Sequence, residues 1–299
     1  SCDFDAIHMS LDGPEFDREN CVGCGACVEY CKQNNLIASR DAIAVLEMLA
    51  EKKEGQLVYA MIAPAFLGQF QEQVTPGKLR TCLKLLIPHV PPAVSPMVAC
   101  GRTVKHLHPD AITVFIGPCI AKKAEAREAD VQDAVDYVLT FQEVLDIFNA
   151  LKLDPAAMKE SEKEISSRAG RIYARTGGVS EAVETTVSRI SPHHTIPLTT
   201  QQADGVKACK ALLSDILDGK INANFFEGMG CIGGCVGGPK AIITKEEAAS
   251  YVNHYGDKAT YQTPMDNPHV IELLKRLDIH TPRQLLENSK IFTRDFKQS

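Results

Sequence analysis

The sequence has no tryptophan, and aromatic residues make up only 6% of its 299 positions. It has no apolar run close to the ~20 residues that a membrane-spanning helix requires, so a membrane protein is not expected. It also lacks a block of lysine and arginine, and its formal net charge is -6. These absences argue against nucleic acid and an anionic membrane as binding partners.

The N-terminus lacks the marks of a secretory signal peptide. The segment 1–5 has neither a basic start nor an apolar stretch. The chain begins with Ser1 instead of Met, so we expect the natural protein to have a preceding segment. Without a signal peptide, and with a cysteine pattern that suits metal, we expect a reducing compartment: the cytoplasm, in an anaerobe.

Cysteine is the abundant feature, with eleven residues. Four of them lie close together in the pattern C-x2-C-x2-C-x3-C, formed by Cys21, Cys24, Cys27 and Cys31. Soft thiolates at this spacing let a short loop wrap a small cluster, and the pattern is typical of a 4Fe–4S cluster. A structural zinc site is the alternative, but it rarely uses four cysteines packed so closely.

Cys2 adds a second inference, because Cys2, Ala6 and Ile7 resemble the segment after the fourth cysteine of a ferredoxin motif. In two-cluster ferredoxins the fourth cysteine of each motif ligates the other cluster. Cys2 would then complete the cluster of Cys21, Cys24 and Cys27, and Cys31 would serve a second cluster with ligands before Ser1. Alternatively, Cys31 completes the first cluster and Cys2 is free.

The rest of the chain has the pattern of an α/β domain. Continuous apolar runs predict buried strands at 57–62, 111–116 and 134–139. Helical patterns alternate with them: residues 43–53, a helix capped by Thr140 with Glu143 three residues later, and 204–217. Further helices are predicted to begin at Pro268 and at 281–282. We expect residues 1–40 to form a small ferredoxin-like iron–sulfur unit, and residues 41–299 to form a catalytic domain with mainly parallel sheets.

Two further cysteine motifs lie in this second domain. The segment 117–125 reads G-P-C-I-A-K-K-A-E and places Cys119 at the C-terminal end of a buried strand, where open α/β sheets form their sites. The segment 226–239 reads F-E-G-M-G-C-I-G-G-C-V-G-G-P, and its glycines allow unusual dihedral angles close to a bulky ligand.

These segments resemble the second and third signatures of FeFe-hydrogenases, P-C-x-x-K-K-x-E and E-x-M-x-C-x-x-G-C-x-x-G-G. Weaker matches at 62–65, 75–78 and 176–182 follow in the family's order, so the resemblance runs from Gln56 to Ala241. It implies the α/β catalytic (H-cluster) domain of that family, which resembles a hydrogenase large subunit. It also implies reversible heterolytic cleavage and formation of hydrogen, with protons and ferredoxin or another redox protein as partners.

The resemblance also implies a set of site residues. Cys119, Cys231 and Cys235 would ligate a 4Fe–4S cube, and Cys235 would bridge it to a diiron unit with CO, cyanide and azadithiolate. Lys122 would donate to a cyanide, and Met229 would pack beside the diiron unit. Backbone amides would line its pocket at Ala63, Pro64, Ala65, Gly177 and Gly178.

Other residues are expected to have ordinary structural roles. Lys123 is expected on a solvated face, and Glu125 is either an ion-pair partner or a functional residue. Cys82, Cys100 and Cys209 are expected to be buried apolar residues. His106, His108, His193 and His194 are expected at the surface or in turns.

The sequence departs from the family pattern at the first signature, T-S-C-C-P, which should supply the fourth cysteine of the cube. Leu86 runs directly into Ile87 where that signature and a longer segment are expected, so either the sequence omits residues or the protein lacks the loop. Gly117 also stands where a Met is usual, and 95–99 resembles sensory branches. Three hypotheses follow: a low-turnover sensory hydrogenase, a signalling module with a partner protein, or an iron–sulfur protein without the diiron unit. The sequence is also compatible with a homodimer.

Overall fold

The structure is a computed structural model, and it describes most of the second domain and part of the first. The described residues are 2, 6–10, 13–17, 21, 25, 27–28, 31, 41–52, 58–62, 97–129, 131–160, 165–191, 197–218, 220–281, 284 and 289–292. Several predictions fall outside them: Cys24, the amides at 63–65, Cys82, the histidines at 193–194 and the junction at 86–87. The boundary between 1–40 and 41–299 stays a prediction.

The described strands form three small sheets. β1 (Ile7–Ser10) and β2 (Gly13–Phe16) make an antiparallel hairpin. The strands β3 (Val58–Ile62), β4 (Ile112–Gly117) and β5 (Tyr137–Thr140) pair in parallel in that order, and this is the first sheet. The second sheet is the parallel pair of β6 (Thr200–Asp204) and β7 (Phe225–Met229).

Helices connect and cover these strands. They are α1 (Ala42–Glu51), α2 (Met97–Leu107), α3 (Ala121–Glu125), α4 (Phe141–Ala150), α5 (Arg168–Ile172), α6 (Gly178–Ile190), α7 (Val206–Leu217), α8 (Lys245–Asp257), α9 (Pro268–Arg276) and α10 (Ser289–Phe292). None of the helices in the described ranges is both long enough and apolar enough to cross a membrane. The α/β class and the parallel sheets are as the sequence predicts.

The main core forms around the central strand of the first sheet. β4 reads I-T-V-F-I-G, and Val114 and Ile116 are fully buried against Val58 of β3 and Phe148 of α4. A parallel strand with helices on its faces is buried on both sides, which is why its sequence is a continuous apolar run. This burial fixes the carboxyl end of β4, where the chain continues into Cys119.

The predicted element bounds hold in part. Thr140 and Glu143 form the predicted capping box at the start of α4: the Glu143 amide donates to Thr140 Oγ1 at 3.2 Å, and the Thr140 amide donates to Glu143 Oε2 at 2.7 Å. Ala134 lies in a turn, so β5 begins later than predicted, at Tyr137. Asp204 ends a strand instead of starting a helix, and α7 begins at Val206. The pattern at 200–204 is too polar to reveal β6.

Candidate functional site

Cys119 follows the carboxyl end of the first sheet. β4 ends at Gly117, which pairs with Thr140 of β5, and the chain then passes through Pro118 and the half-buried Cys119 into α3. The end of a parallel strand and the start of the next helix is the usual place for a site in such sheets. This part of the sequence prediction agrees with the structure.

Cys231 and Cys235 lie in the loop after β7, and we call the segment Cys231–Cys235 the cluster loop. Gly233 and Gly234, at the centre of the cluster loop, have φ of +88° and +87°. A Cβ on Gly234 would lie 2.7 Å from the Thr176 nitrogen, so the close approach of two backbone segments also requires glycine here. The Gly234 amide donates to the Cys231 carbonyl at 3.0 Å, which folds the loop back on itself.

The two cysteine segments contact each other. The Lys240 amide donates to the Pro118 carbonyl at 3.0 Å, and a Cβ on Gly238 would lie 2.7 Å from the same oxygen. Burial raises the pKa of the Cys235 thiol, Cys119 raises it further, and the Lys122 ammonium opposes both. The backbone contacts therefore bring the segment of Cys119 next to the segment of Cys235, and Cys119 and Lys122 both influence the Cys235 thiol.

Cys235 is exposed in the described structure, so a bound group can reach this residue. The protein atoms around its thiol still raise its pKa by burial. A ligand to an inorganic group must be accessible in this way.

A single metal ion is a poor fit to these thiols. In the described part of the chain, no three His, Cys, Asp or Glu side chains come close enough together to hold one ion. A 4Fe–4S cube is a larger object, held at separate corners by thiolates, and its chemistry matches the soft sulfur donors present. The soft sulfur donors present suit such a cluster, and the set Cys119, Cys231 and Cys235 stays a prediction.

Two carboxylates hold the segments around the turn at 173–177, and we call Asp204 and Glu227 the carboxylate clamp: Asp204 joins that turn to the cluster loop, and Glu227 joins it to β7. Asp204 Oδ2 accepts from the Gly233 amide at 2.7 Å and from Thr176 Oγ1 at 2.9 Å. Glu227, at the centre of β7, is only 4% exposed. Asp204 lies in no sequence signature, and neither residue was identified from the sequence as a site residue. For Glu227, the one available signal in the sequence was its position within the cysteine motif at 226–239.

Glu227 fixes the start of α6. Its Oε1 accepts from the Gly177 amide at 2.7 Å, and its Oε2 accepts from the Ser180 amide at 2.7 Å and the Ser180 hydroxyl at 2.9 Å. A carboxylate at a helix N-terminus satisfies free amides and interacts favourably with the helix dipole. The 13-residue helix α6 is thereby attached to the strand that leads into the cluster loop.

This arrangement affects the amides expected to line a diiron pocket. The Gly177 amide donates to Glu227, and the Gly178 amide donates to the Arg175 carbonyl at 2.9 Å. Both donors are therefore used within the protein and are not available to a bound group in this arrangement. Met229 ends β7 half-buried, and its carbonyl accepts from the Gly205 amide at 2.8 Å.

The two neighbouring lysines have different environments. Lys122 is partly exposed and forms an ion pair with Glu125, which is the structural option for Glu125. The expectation that Lys123 is solvated is wrong, because its side chain is 3% exposed. Its Nζ lies 3.1 Å from Glu143 Oε2 and 3.5 Å from Asp41 Oδ2, and donates to the Val138 carbonyl at 2.6 Å.

Lys123, Glu143 and Asp41 form a buried group that we call the Lys123 cluster. The cause of the wrong prediction is the position of α3, which turns this side of the helix against β5 and α4. A buried lysine is tolerated only when carboxylates and a carbonyl replace its water shell, as they do here. A lysine pair in a sequence carries no sign of these distant partners.

The ferredoxin-like unit reaches the same region. Gly25 has φ of +81°, and a Cβ there would lie 2.7 Å from Ile120 Cδ1 and 3.1 Å from Pro239 Cγ. Gly25 therefore packs between the segments that carry Cys119 and Cys235. Among the expected cluster ligands, Cys21 is exposed and Cys2, Cys27 and Cys31 are half-buried. Which four of them share a cluster stays a prediction.

The other described cysteines behave largely as apolar residues. Cys100 is buried in α2 among Met97, Phe115 and Val138. Cys209 is half-buried in α7, and its Sγ donates weakly to the carbonyls of Ala203 and Met229 at 3.5 and 3.4 Å. His106 is exposed on α2, as expected for a surface residue.

Comparison with known proteins gives consistent matches. Residues 84–239 match the family described as iron only hydrogenase large subunit, C-terminal domain, and residues 12–33 match the 4Fe-4S binding domain. Iron hydrogenase 1 of Clostridium pasteurianum is 26% identical over 193 residues, which is 51% of this chain and 34% of the relative. The chain thus aligns with about a third of that relative's length.

Solved structures agree on the fold. A variant of the FeFe-hydrogenase HydA1 from Chlamydomonas reinhardtii superposes with a TM-score of 0.61 at 19% identity, covering 79% of this chain and 94% of the other. HydA(deltaEFG), a structure that reveals stepwise H-cluster assembly, gives a TM-score of 0.60 with the same identity and coverage. Because the family match spans more than half of the sequence, this chain belongs to the iron-only (FeFe) hydrogenase family, and it carries a 4Fe–4S binding domain at its N-terminal end.

Proposed function

We propose that this chain holds a 4Fe–4S cube through Cys119, Cys231 and Cys235, with a diiron unit beside Cys235, and acts as a low-turnover hydrogenase in a sensory role. The observation that carries the proposal is the meeting of Cys119, Cys235 and Lys122 at the carboxyl end of the first sheet. Two thiols with a cation that acts on one of them are suited to an anionic iron–sulfur group.

When bound, such a group supplies the heterolytic chemistry of hydrogen, and the protein supplies ligands, shape and electrostatics. Lys122 places a positive charge beside Cys235, and its ion pair with Glu125 limits the positions its ammonium can take. That charge would stabilise anionic ligands on the side of Cys235. The glycines of the cluster loop supply the positive φ angles that set the course of the chain between Cys231 and Cys235.

The ferredoxin-like unit is proposed to pass electrons to and from this site. Gly25, in its cysteine-rich loop, packs against Ile120 and Pro239. Ile120 is adjacent to Cys119, and Pro239 lies four residues after Cys235. A redox protein such as ferredoxin would exchange electrons at the outer face of this unit, and a signalling protein would be the partner of the sensory role.

The first test is anaerobic reconstitution with iron and sulfide, followed by iron counting and electron paramagnetic resonance. We expect Cys119→Ser and Cys235→Ser to lose one cluster per chain. The matched control is Cys209→Ser, because Cys209 lies outside the site and should leave the iron content unchanged. Equal iron content in all three variants would contradict the ligand assignment.

The second test adds a synthetic diiron precursor to the reconstituted protein. Infrared bands of bound CO and cyanide, with slow hydrogen oxidation, would support the hydrogenase proposal. An intact cube that takes up no diiron unit would overturn it in favour of a hydrogenase-like iron–sulfur protein for electron transfer or cluster assembly. Hydrogen-dependent binding of a signalling protein would assign the sensory role.

A further inference from the structure

Asp204 occupies an unusual place beside the cluster loop. It is the last residue of β6 and pairs in register with Met229, the last residue of β7. The Gly205 amide then donates to the Met229 carbonyl at 2.8 Å, which keeps the two strand ends together. Asp204 therefore stands next to the point where the chain leaves the second sheet and enters the cluster loop.

Its carboxylate binds the centre of that loop. Oδ2 accepts from the Gly233 amide at 2.7 Å and from Thr176 Oγ1 at 2.9 Å. The Thr176 amide in turn donates to the Gly233 carbonyl at 3.1 Å. Both polar backbone groups of Gly233, midway between Cys231 and Cys235, are thus held by two neighbouring residues outside the loop.

The loop needs such support because its two central residues are glycines, whose backbone populates positive and negative φ about equally. Two successive residues, Gly233 and Gly234, have positive φ. Free glycine chains sample many other conformations, so external contacts must select this one. A hydrogen bond from an amide to a charged carboxylate is about twice as strong as a neutral one. Asp204 is therefore well placed to fix the separation and orientation of Cys231 and Cys235.

The carboxylate also brings a charge. Within the described residues, no lysine, arginine or histidine forms an ion pair with Asp204. A cleft of about 410 Å³, lined by Thr176, Gln202, Asp204 and Asp215 among others, borders the outer side of Asp204. The cleft places one side of the carboxylate next to open space, and its hydrogen bond to the Gly233 amide places it within a few residues of the cysteines.

We propose that Asp204 is a positioning residue that holds the cluster loop in shape, and that its negative charge lowers the reduction potential of the cluster bound there. The second half rests on the proposed function. A nearby anion stabilises the more oxidised, less negative state of a cluster, because net charge and hydrogen bonds set its potential. The first half concerns the protein alone and does not need a bound cluster.

The test of positioning uses the full chain without metal and measures hydrogen exchange across 229–238. Asp204→Ala removes both hydrogen bonds, and we expect the Gly233 amide to exchange at least about tenfold faster. Asp204→Asn keeps an accepting oxygen and should retain much of the protection. The control is Asp215→Asn in the same cleft, with exchange like that of the wild type. Unchanged exchange in Asp204→Ala would overturn the positioning role.

The test of charge uses the reconstituted protein and a redox titration followed by electron paramagnetic resonance. Asp204→Asn should shift the cluster potential upward relative to the wild type, and Asp215→Asn should shift it less. Equal potentials in Asp204→Asn and the wild type would overturn the charge role. If the wild type binds no cluster on the cluster loop, the proposed function fails, while the exchange experiment still decides the positioning role.

Discussion

The sheet that carries Cys119 buries a cation, whereas the sheet that leads to Cys231 and Cys235 buries an anion. In the Lys123 cluster, the ammonium is paired with Glu143 and Asp41. In the carboxylate clamp, Glu227 is satisfied by amides and a hydroxyl, and no lysine, arginine or histidine in the described residues forms an ion pair with it. The two halves of the site therefore hold their cysteine segments by different interactions.

Because of this difference, the two halves of the site should tolerate different substitutions. An ion pair in the interior fails as a unit, because removal of one partner leaves the other charge buried and unpaired. A carboxylate held by several amides loses its hydrogen bonds one at a time, and each costs less. The first half should therefore depend strongly on one side chain, and the second on a backbone conformation with several supports.

The largest effect on the free energy of unfolding is expected from a substitution in the Lys123 cluster. Lys123→Met removes the cation and leaves Glu143 buried, so we expect the free energy of unfolding to fall by about 3–5 kcal/mol in urea titrations. Lys122→Met is the matched control, since its partly exposed pair with Glu125 should contribute less than about 1 kcal/mol. Similar losses in both variants would mean that burial does not distinguish the two lysines.

The next largest effect is expected from a change in the backbone of the cluster loop. Gly234→Ala places a Cβ 2.7 Å from the Thr176 nitrogen at a positive φ, and should cost about 2–3 kcal/mol and reduce iron uptake. Gly230→Ala is the control on the other side of Cys231, because its Cβ would meet nothing within 4 Å. Equal stability and equal iron uptake in the two variants would contradict the role assigned to the Gly234 backbone.

A smaller effect is expected from the carboxylate clamp itself. Glu227→Gln keeps one accepting oxygen but turns an amide NH₂ toward a backbone donor, at a cost of about 1–3 kcal/mol. Glu184→Gln on the exposed side of α6 should be nearly neutral in the same urea titrations. A neutral Glu227→Gln would show that neither the negative charge nor the second accepting oxygen of Glu227 contributes to stability.

The smallest effect concerns acid stability at the start of α6. Partial burial would raise the pKa of Glu181, but hydrogen bonds from Arg168 and Arg175 outweigh it and hold that pKa below its ordinary value of about 4.3. The folded pKa is the lower one, so this stabilisation is present above the unfolded value and is lost as pH falls through the folded value. Glu181→Gln should flatten the acid side of the stability profile, and thermal unfolding at pH 3 to 7 would measure it. An unchanged profile would mean that the arginine contacts carry no net stability.

The sequence by itself determined the family and much of the local structure. Cysteine spacing, the glycines around Cys235 and the apolar run of β4 are local patterns, and each has a direct physical meaning. The capping box of Thr140 and Glu143 is also local, because both residues lie within one turn of helix. The α/β class followed from the alternation of such elements.

Only the tertiary structure decided which residues support the site. Lys123 became buried because α3 packs against β5 and α4, and its partner Asp41 is 82 positions away in the chain. Asp204 acquired its role because parallel pairing brings the ends of β6 and β7 together. A buried charge is stable only where distant partners replace water, and no local pattern in a single sequence records that distant contact.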